Sequence, residues 1–137
     1  MLSVLDADTD AGRRPRQAQR VELLDGRKLE YVQLGHAVEL GLSGGFRVLI
    51  ESLAHLNTPR GRVDVEPGAD ASDVVATLLG DVVRSARTGA GNELRICFVS
   101  GSELVVDADA DVESWAITGP DGSLTVCLAR GELACWG

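Results

Sequence analysis

Four carboxylates alternate with other residues in one short segment of this 137-residue chain; they are Asp107, Asp109, Asp111 and Glu113. Carboxylates at this spacing in a loop can converge on a hard cation, which takes about six to eight oxygen ligands. The EF-hand pattern is not met, because Val112 stands at its glycine position and Thr118 at the position of its bidentate glutamate. Three interpretations stay open: a cation site, a site for a basic partner, and a solvated connector.

The charge balance favours a basic partner over an anionic one. The chain has 13 basic and 21 acidic residues, a net charge of −8. Between Arg95 and Arg130 there are six carboxylates and no basic residue: Glu103, Asp107, Asp109, Asp111, Glu113 and Asp121. Nucleic acids and anionic membranes repel such a surface, because both are bound through clustered Lys and Arg. We therefore expect no nucleic-acid and no membrane partner, and a basic protein surface would suit this half of the chain.

Residues that could support catalysis do not form a recognisable constellation. His36 and His55 have no Cys or His at ligand spacing, so we predict no metal site. Cys97 and Cys135 lie inside predicted strands, and Cys127 alternates with Val126 and Leu128 in a way that would face it to solvent, so at least two of the three thiols are expected to be buried. No phosphate loop and no G-x-S-x-G motif occurs, so we expect no catalytic residues and no cofactor, and an enzyme is not favoured.

Two tryptophans stand out in a chain with 4% aromatic residues. Trp115 and Trp136 lie close to carboxylates and to glycine turns. Core packing and a partner hot spot are both consistent with such residues. We include both with the four acids of the 107–113 segment as candidate partner-binding residues.

The elements that position these residues are mostly strands. Apolar residues alternate in hairpin patterns on both sides of glycine turns, at Ser43-Gly44-Gly45 and again at Ser100-Gly101-Ser102. Val21–Leu24 and Lys28–Leu34, joined by Asp25-Gly26, predict a further hairpin. Gly131–Trp136 is predicted to pair with Leu124–Leu128, with Trp136 covered by the fold or by a second copy, so a homodimer is compatible with the sequence.

One segment has helical periodicity. Between Ala71 and Arg87 the apolar residues follow an i, i+3, i+4, i+7, i+11 stripe, formed by Val75, Leu78, Leu79, Val82 and Ala86. Gly89-Ala90-Gly91 would end this helix. The predicted fold class is therefore α+β, with about nine short strands in two antiparallel β-meander halves and one amphipathic helix between them.

Length and composition predict one domain, residues 20–137, after a flexible N-terminal arm, residues 1–19. The first residues are too short for a signal-peptide core, and three cysteines do not make a disulfide framework. A cytoplasmic location is the expectation from these two features.

The C-terminal third carries a resemblance to a known family. Glu113, Trp115, Ile117 and Gly119-Pro120-Asp121-Gly122, followed by Gly131-Glu132-Leu133 and Trp136, resemble the closing signature of a family of small, uncharacterised actinobacterial proteins, a domain of unknown function. The similarity runs from about Val21 to the end. The chain departs from it at Ala129-Arg130-Gly131, where the family has Pro-Gly-Gly. The resemblance implies no reaction, cofactor or partner.

Two functional hypotheses follow. The first is a non-catalytic protein-binding module, of an adaptor or immunity-like kind, that uses its acidic C-terminal half. The alternative is a small-molecule- or divalent-ion-binding domain, or an enzyme, with a cleft between the β halves. A closed apolar core between the sheets would favour the first, and a deep pocket with His36 or His55 beside a carboxylate would favour the second.

Overall fold

A computed structural model describes residues 21–68 and 70–136, and the predicted arm, residues 1–19, lies outside the described residues. Within this part the chain forms eleven strands: β1 (Leu29–Leu34), β2 (Val38–Leu42), β3 (Phe46–Ile50), β4 (Ala54–Thr58), β5 (Gly61–Val65), β6 (Val83–Thr88), β7 (Leu94–Phe98), β8 (Glu103–Val106), β9 (Trp115–Thr118), β10 (Leu124–Cys127) and β11 (Leu133–Trp136). All strand pairs are antiparallel.

The strands divide into two sheets that share one apolar core. The first sheet has the order β1-β2-β3-β9-β10-β11, and the second has the order β5-β4-β8-β7-β6. One side of each sheet contributes to a single cluster of buried residues, which includes Leu40, Ile50 and Trp115 from the first sheet and Leu56 and Ile96 from the second. The period-two alternation of the sequence produces these faces, because successive side chains of a strand point to opposite sides.

The predicted helix Ala71–Arg87 is wrong, and with it the α+β class. The described residues contain no α-helix of seven or more residues, and the domain is mainly β. The first half of the segment is a 3₁₀ segment, Asp70–Leu78. The second half is β6, which pairs with β7. Gly80 separates the two halves with φ +87°, a conformation that ends a helix and that L-residues rarely adopt.

The predicted stripe joins residues of two different elements, since Val75 and Leu78 lie in the 3₁₀ segment and Ala86 lies in β6. The pairing of β6 with β7 shifts register between Val83 and Ser85, so one extra residue is inserted there. Val83 and Ala86 are therefore both buried although they are three residues apart, a spacing that is ordinary in a helix but not in a regular strand. Leu79 of the predicted stripe is 50% exposed.

The two predicted β-meander halves do not form separate sheets. Sheet one takes β1–β3 from the first half and β9–β11 from the second, while sheet two is built from the continuous segment 54–106. The chain crosses between the sheets at residues 51–53 and returns at residues 107–114. Each sheet has one central pair of strands, β3 with β9 in sheet one and β4 with β8 in sheet two. The first connection joins β3 to β4, and the second joins β8 to β9.

Three local predictions have different outcomes. The glycine-turn hairpins are confirmed as β2–β3 and β7–β8. The pairing of the C-terminal strand is confirmed as β10–β11, from Leu124 opposite Trp136 to Cys127 opposite Leu133. The hairpin of Val21–Leu24 with Lys28–Leu34 is wrong: Val21 and Glu22 are helical, residues 23–26 form turns, and β1 pairs with β2. Val21 and Leu24 are both buried, at the three-residue spacing that places side chains on one face of a helical turn.

Candidate functional site

The acidic segment of the sequence lies in the second crossover, residues 107–114. Asp107, Asp111 and Glu113 are exposed, whereas Asp109 is half-buried. The Asp109 side chain accepts a hydrogen bond from the N–H of Asp111 at 2.8 Å, and its carbonyl accepts one from the N–H of Arg130 at 2.7 Å. Asp109 therefore shapes the loop, and the other three carboxylates are presented to solvent.

The first crossover lies directly beside the second. The N–H of Glu51 donates to the carbonyl of Ser114 at 2.8 Å, and the Ser52 hydroxyl donates to the carbonyl of Asp107 at 3.3 Å. Partial burial raises the pKa of Glu51, and the charge of Glu113 raises it further. Carboxylates more than sixty positions apart in sequence therefore act on one another at this end of the molecule.

Apolar side chains accompany these carboxylates. Leu53 is 55% exposed in the first crossover, and Val112 is 49% exposed in the second. We call the set formed by the two connections the crossover surface; it consists of Glu51, Leu53, Asp107, Asp111, Val112 and Glu113. Exposed apolar side chains together with carboxylates are a composition typical of protein-contact surfaces.

The two tryptophans have different positions. Trp115 is fully buried in the shared core, and its indole N–H donates to the carbonyl of Asn92 at 3.1 Å. It therefore presents no surface to a partner in this fold. Trp136 lies on β11 at the edge of sheet one and is 53% exposed. The crossover surface meets sheet one at Trp115, in register with Leu133 at the start of β11, whereas Trp136 lies at the other end of that strand.

A second polar cluster, which the sequence did not reveal, covers the outer side of sheet two. Its centre is the Glu103 carboxylate, which accepts from the Asn57 amide at 3.4 Å and from the Cys97 thiol at 3.6 Å. Arg95 and Arg87 form ion pairs with the same carboxylate at 3.5 and 3.9 Å. Cross-strand register places these groups together, since Glu103 lies opposite both Asn57 and Cys97.

The Glu103 cluster is extended by Glu93. Arg95 Nε donates to Glu93 at 3.0 Å, and the N–H of Gly91 donates to the same side chain at 3.1 Å. Burial opposes ionisation of Glu93, but these bonds and its own backbone N–H together lower its pKa. The carboxylates of Glu93 and Glu103 are therefore both paired with arginine side chains. The bonds to Glu103 connect side chains of strands β4, β6, β7 and β8.

The other candidate chemical groups lie apart. His36 is exposed before β2, and His55 lies on β4 opposite Asp64 and Val105. Burial raises the pKa of the Cys127 thiol, with a smaller opposing effect from Ser114. Across residues 21–68 and 70–136, no group of three or more His, Cys, Asp or Glu side chains could hold a metal ion. No helix in that same part is long and apolar enough to cross a membrane.

These features define an antiparallel, two-sheet β domain with an acidic crossover surface. The chain belongs to a family of unknown function, DUF6188, whose model matches residues 21–137. The resemblance to an uncharacterised domain family is thereby confirmed. Comparison with curated proteins finds no match, and comparison with solved structures finds none either.

Proposed function

We propose that this domain is a non-catalytic protein-binding module, adaptor or immunity-like, whose crossover surface docks on a basic protein surface. The observation that carries the proposal is the contact between the crossovers, in which Glu51 donates its N–H to the Ser114 carbonyl. This contact gathers carboxylates from two distant parts of the chain onto one surface. The space between the sheets is filled by the apolar cluster, which supports this proposal over a cleft-based alternative.

Electrostatics favour a cationic partner at this surface. The raised pKa of Glu51 reflects partial burial and repulsion by Glu113, and both effects oppose the ionised carboxylate. A cationic group placed between the two side chains would relieve the repulsion. The net charge of −8 adds a long-range attraction for basic partners, which speeds their association and weakens as salt rises.

The exposed apolar side chains could add affinity to the charge of this surface. Leu53 and Val112 are exposed next to the carboxylates, and burial of such side chains supplies affinity while the carboxylates supply orientation. A basic peptide or surface with an apolar strip would match both. A purely polycationic ligand would use the carboxylates alone and would dissociate readily at high salt.

A pull-down with the full chain as bait, at low and at high salt, tests this proposal. The crossover variant carries Asp107→Asn, Asp111→Asn and Glu113→Gln; Asp109 is retained because its side chain shapes the loop. The matched control removes three exposed carboxylates elsewhere, by Glu22→Gln, Glu30→Gln and Asp64→Asn. We expect the crossover variant to lose a partner that the control still captures.

A further variant, Leu53→Ser with Val112→Ser, separates the apolar contribution from the charge. We expect it to weaken capture at high salt more than at low salt, since the apolar contact is not screened. Capture that persists in both the charge variant and the apolar variant would rule out the crossover surface as the docking site.

We also propose that the domain functions in the cytoplasm. Cys97, Cys127 and Cys135 are free thiols, and thiols persist in reducing compartments. Fractionation of cells that produce the tagged full-length protein tests this, and recovery in an extracellular or membrane fraction would contradict it.

A further inference from the structure

The four edge strands of the two sheets are unequally protected against pairing with another chain. Unpaired edges attract further strands unless charges, bulges or neighbouring segments block them. β1 has a bulge after Leu29 and the exposed charge of Glu30, and β6 has a bulge after Val83 with exposed Arg84 and Arg87.

The remaining two edge strands are β5 in sheet two and β11 in sheet one. β5 carries exposed Arg62 and Asp64, and the 3₁₀ segment contacts it. β11 has neither charge, nor proline, nor bulge between Leu133 and Trp136. Within the part of the chain that the structure describes, β11 is therefore the edge without a blocking device.

The hydrogen-bonding pattern identifies which backbone groups β11 leaves free. The N–H of Leu128 donates to the carbonyl of Glu132 at 2.7 Å, so this pair is hydrogen-bonded. Such pairs alternate along an antiparallel ladder, which makes Ala134 and Trp136 the next residues bonded to β10. The N–H and C=O groups of Leu133 and Cys135 consequently point to the free edge.

We propose that two copies of this chain associate through β11, antiparallel and with a twofold axis at Ala134. This inference does not rest on the proposed function. The free groups are self-complementary: Leu133 of one copy faces Cys135 of the other, and each pair exchanges two main-chain hydrogen bonds. Parallel pairing would lack this exchange of paired bonds.

The side chains on the outer side of sheet one fit this arrangement. In register, Leu49, Ala116, Val126 and Ala134 form an uncharged row across β3, β9, β10 and β11. The twofold axis places Ala134 opposite its counterpart, so the row continues without interruption into the second copy. Trp136, which is 53% exposed, would lie beside Glu132 of the other copy and gain cover.

Charge supports an antiparallel pair as well. The acidic crossover contacts the chain just before β11, through the hydrogen bond from Arg130 to Asp109. Antiparallel pairing places the two acidic crossovers at opposite ends of the joined edge, whereas parallel pairing would bring them to the same end. For a chain with a net charge of −8, this separation lowers the repulsion between copies.

Light scattering coupled to gel filtration, across about a hundredfold range of protein concentration, tests the proposal with the full chain. We expect the mass to rise from 14.4 kDa towards twice that value. The variant Cys135→Pro removes an N–H that points to the free edge and none that β10 uses. It should keep its circular dichroism and stay monomeric, while Ala134→Pro should disturb the β10–β11 ladder itself.

Disulfide trapping provides a second measurement that does not need a proline to be tolerated. Ala134 and its counterpart would form a non-hydrogen-bonded pair with Cα atoms about 4.5 Å apart, within reach of a disulfide. In a Cys135→Ser background, Ala134→Cys should cross-link at least about tenfold faster than Gln33→Cys on the exposed β1. A monomeric mass throughout with equal cross-linking rates, or a dimer unaffected by Cys135→Pro, would overturn the proposal.

Discussion

At the scale of single residues, Asn92 connects three parts of the molecule. It lies in the β6–β7 turn with φ +62°, and its side chain donates to the carbonyl of Gly131 at 2.7 Å. Its own carbonyl accepts from the Trp115 indole and from the Cys127 thiol. Asparagine tolerates this backbone conformation better than most residues, so one residue provides both the turn and the bonds.

We expect Asn92→Ala to lower the free energy of unfolding by about 2 kcal/mol, since it loses the side-chain bond and strains the left-handed backbone. Asn92→Gly relieves the strain and should cost about 1 kcal/mol, from the lost bond alone. Urea denaturation measures both. Equal losses would mean that backbone strain contributes nothing at this position.

Glu93 should contribute stability that depends on pH. Its pKa in the folded state is lowered, so its contribution is present above the pKa of the unfolded chain and is lost as pH falls through the folded value. Glu93→Gln should therefore destabilise the protein by about 1 kcal/mol at pH 7, a value reduced by partial exposure. The difference from wild type should vanish in acid, as urea midpoints across pH would report.

Glu51 should behave in the opposite sense. Its raised pKa means that the ionised form is disfavoured on folding, so its effect on stability becomes unfavourable as pH rises through the folded value. Glu51→Gln should raise the melting temperature at pH 7 and leave it unchanged at a pH below the unfolded value. A gain that is the same at both pH values would assign the effect to packing instead of charge.

At the scale of elements, the segment from the 3₁₀ turn to β6 makes a direct prediction. Leu78 is buried and Leu79 is half-exposed, although a helix through both would bury the two together. Leu78→Asp should place an unpaired charge in the core and cost several kcal/mol, enough to unfold many domains. Leu79→Asp should remain folded, with less than about 1 kcal/mol lost. Circular dichroism during urea titration distinguishes the two.

The sequence predicts those elements whose signals are local. Glycine turns and alternation identify the β2–β3, β7–β8 and β10–β11 hairpins, because turn geometry and strand pairing involve neighbours in the chain. The helix prediction fails because its apolar stripe joins residues of the 3₁₀ segment to residues of β6, two elements that Gly80 separates. The pattern then resembles a helix that the tertiary fold does not form.

Prediction of the candidate site from sequence is limited in the same way, because only its local signals are visible. The acidic segment 107–113 is visible as a run of carboxylates, but its neighbour Glu51 and the Glu103 cluster depend on pairings between distant strands. Alternation specifies which side chains share a face of one strand and does not specify which strand lies beside it. Asn57 is a polar residue at an outward strand position, and nothing in the sequence around it indicates which residue it bonds to.

At the scale of the whole molecule, the shared core predicts that both sheets unfold together. Leu104 lies in sheet two and Trp115 in sheet one, and both belong to one apolar cluster. In a Trp136→Phe background, Leu104→Ala should cost about 3 kcal/mol. The Trp115 fluorescence and the circular dichroism should then shift to the same lower urea midpoint.

If the sheets were independent units, Trp115 fluorescence would keep its wild-type midpoint while circular dichroism shifted. A matched substitution in sheet one, Leu40→Ala, serves as the control, because it should move both signals under either arrangement.

The insertion of all of sheet two between β3 and β9 has a consequence for the speed of folding. The hairpins of the chain can form early, because their strands are neighbours in sequence. The pairs β3–β9 and β4–β8 join strands that lie far apart in sequence, so a large loop must close before either pair gains contacts. Folding should therefore be slow for a chain of this length, with the centre of the molecule completed last.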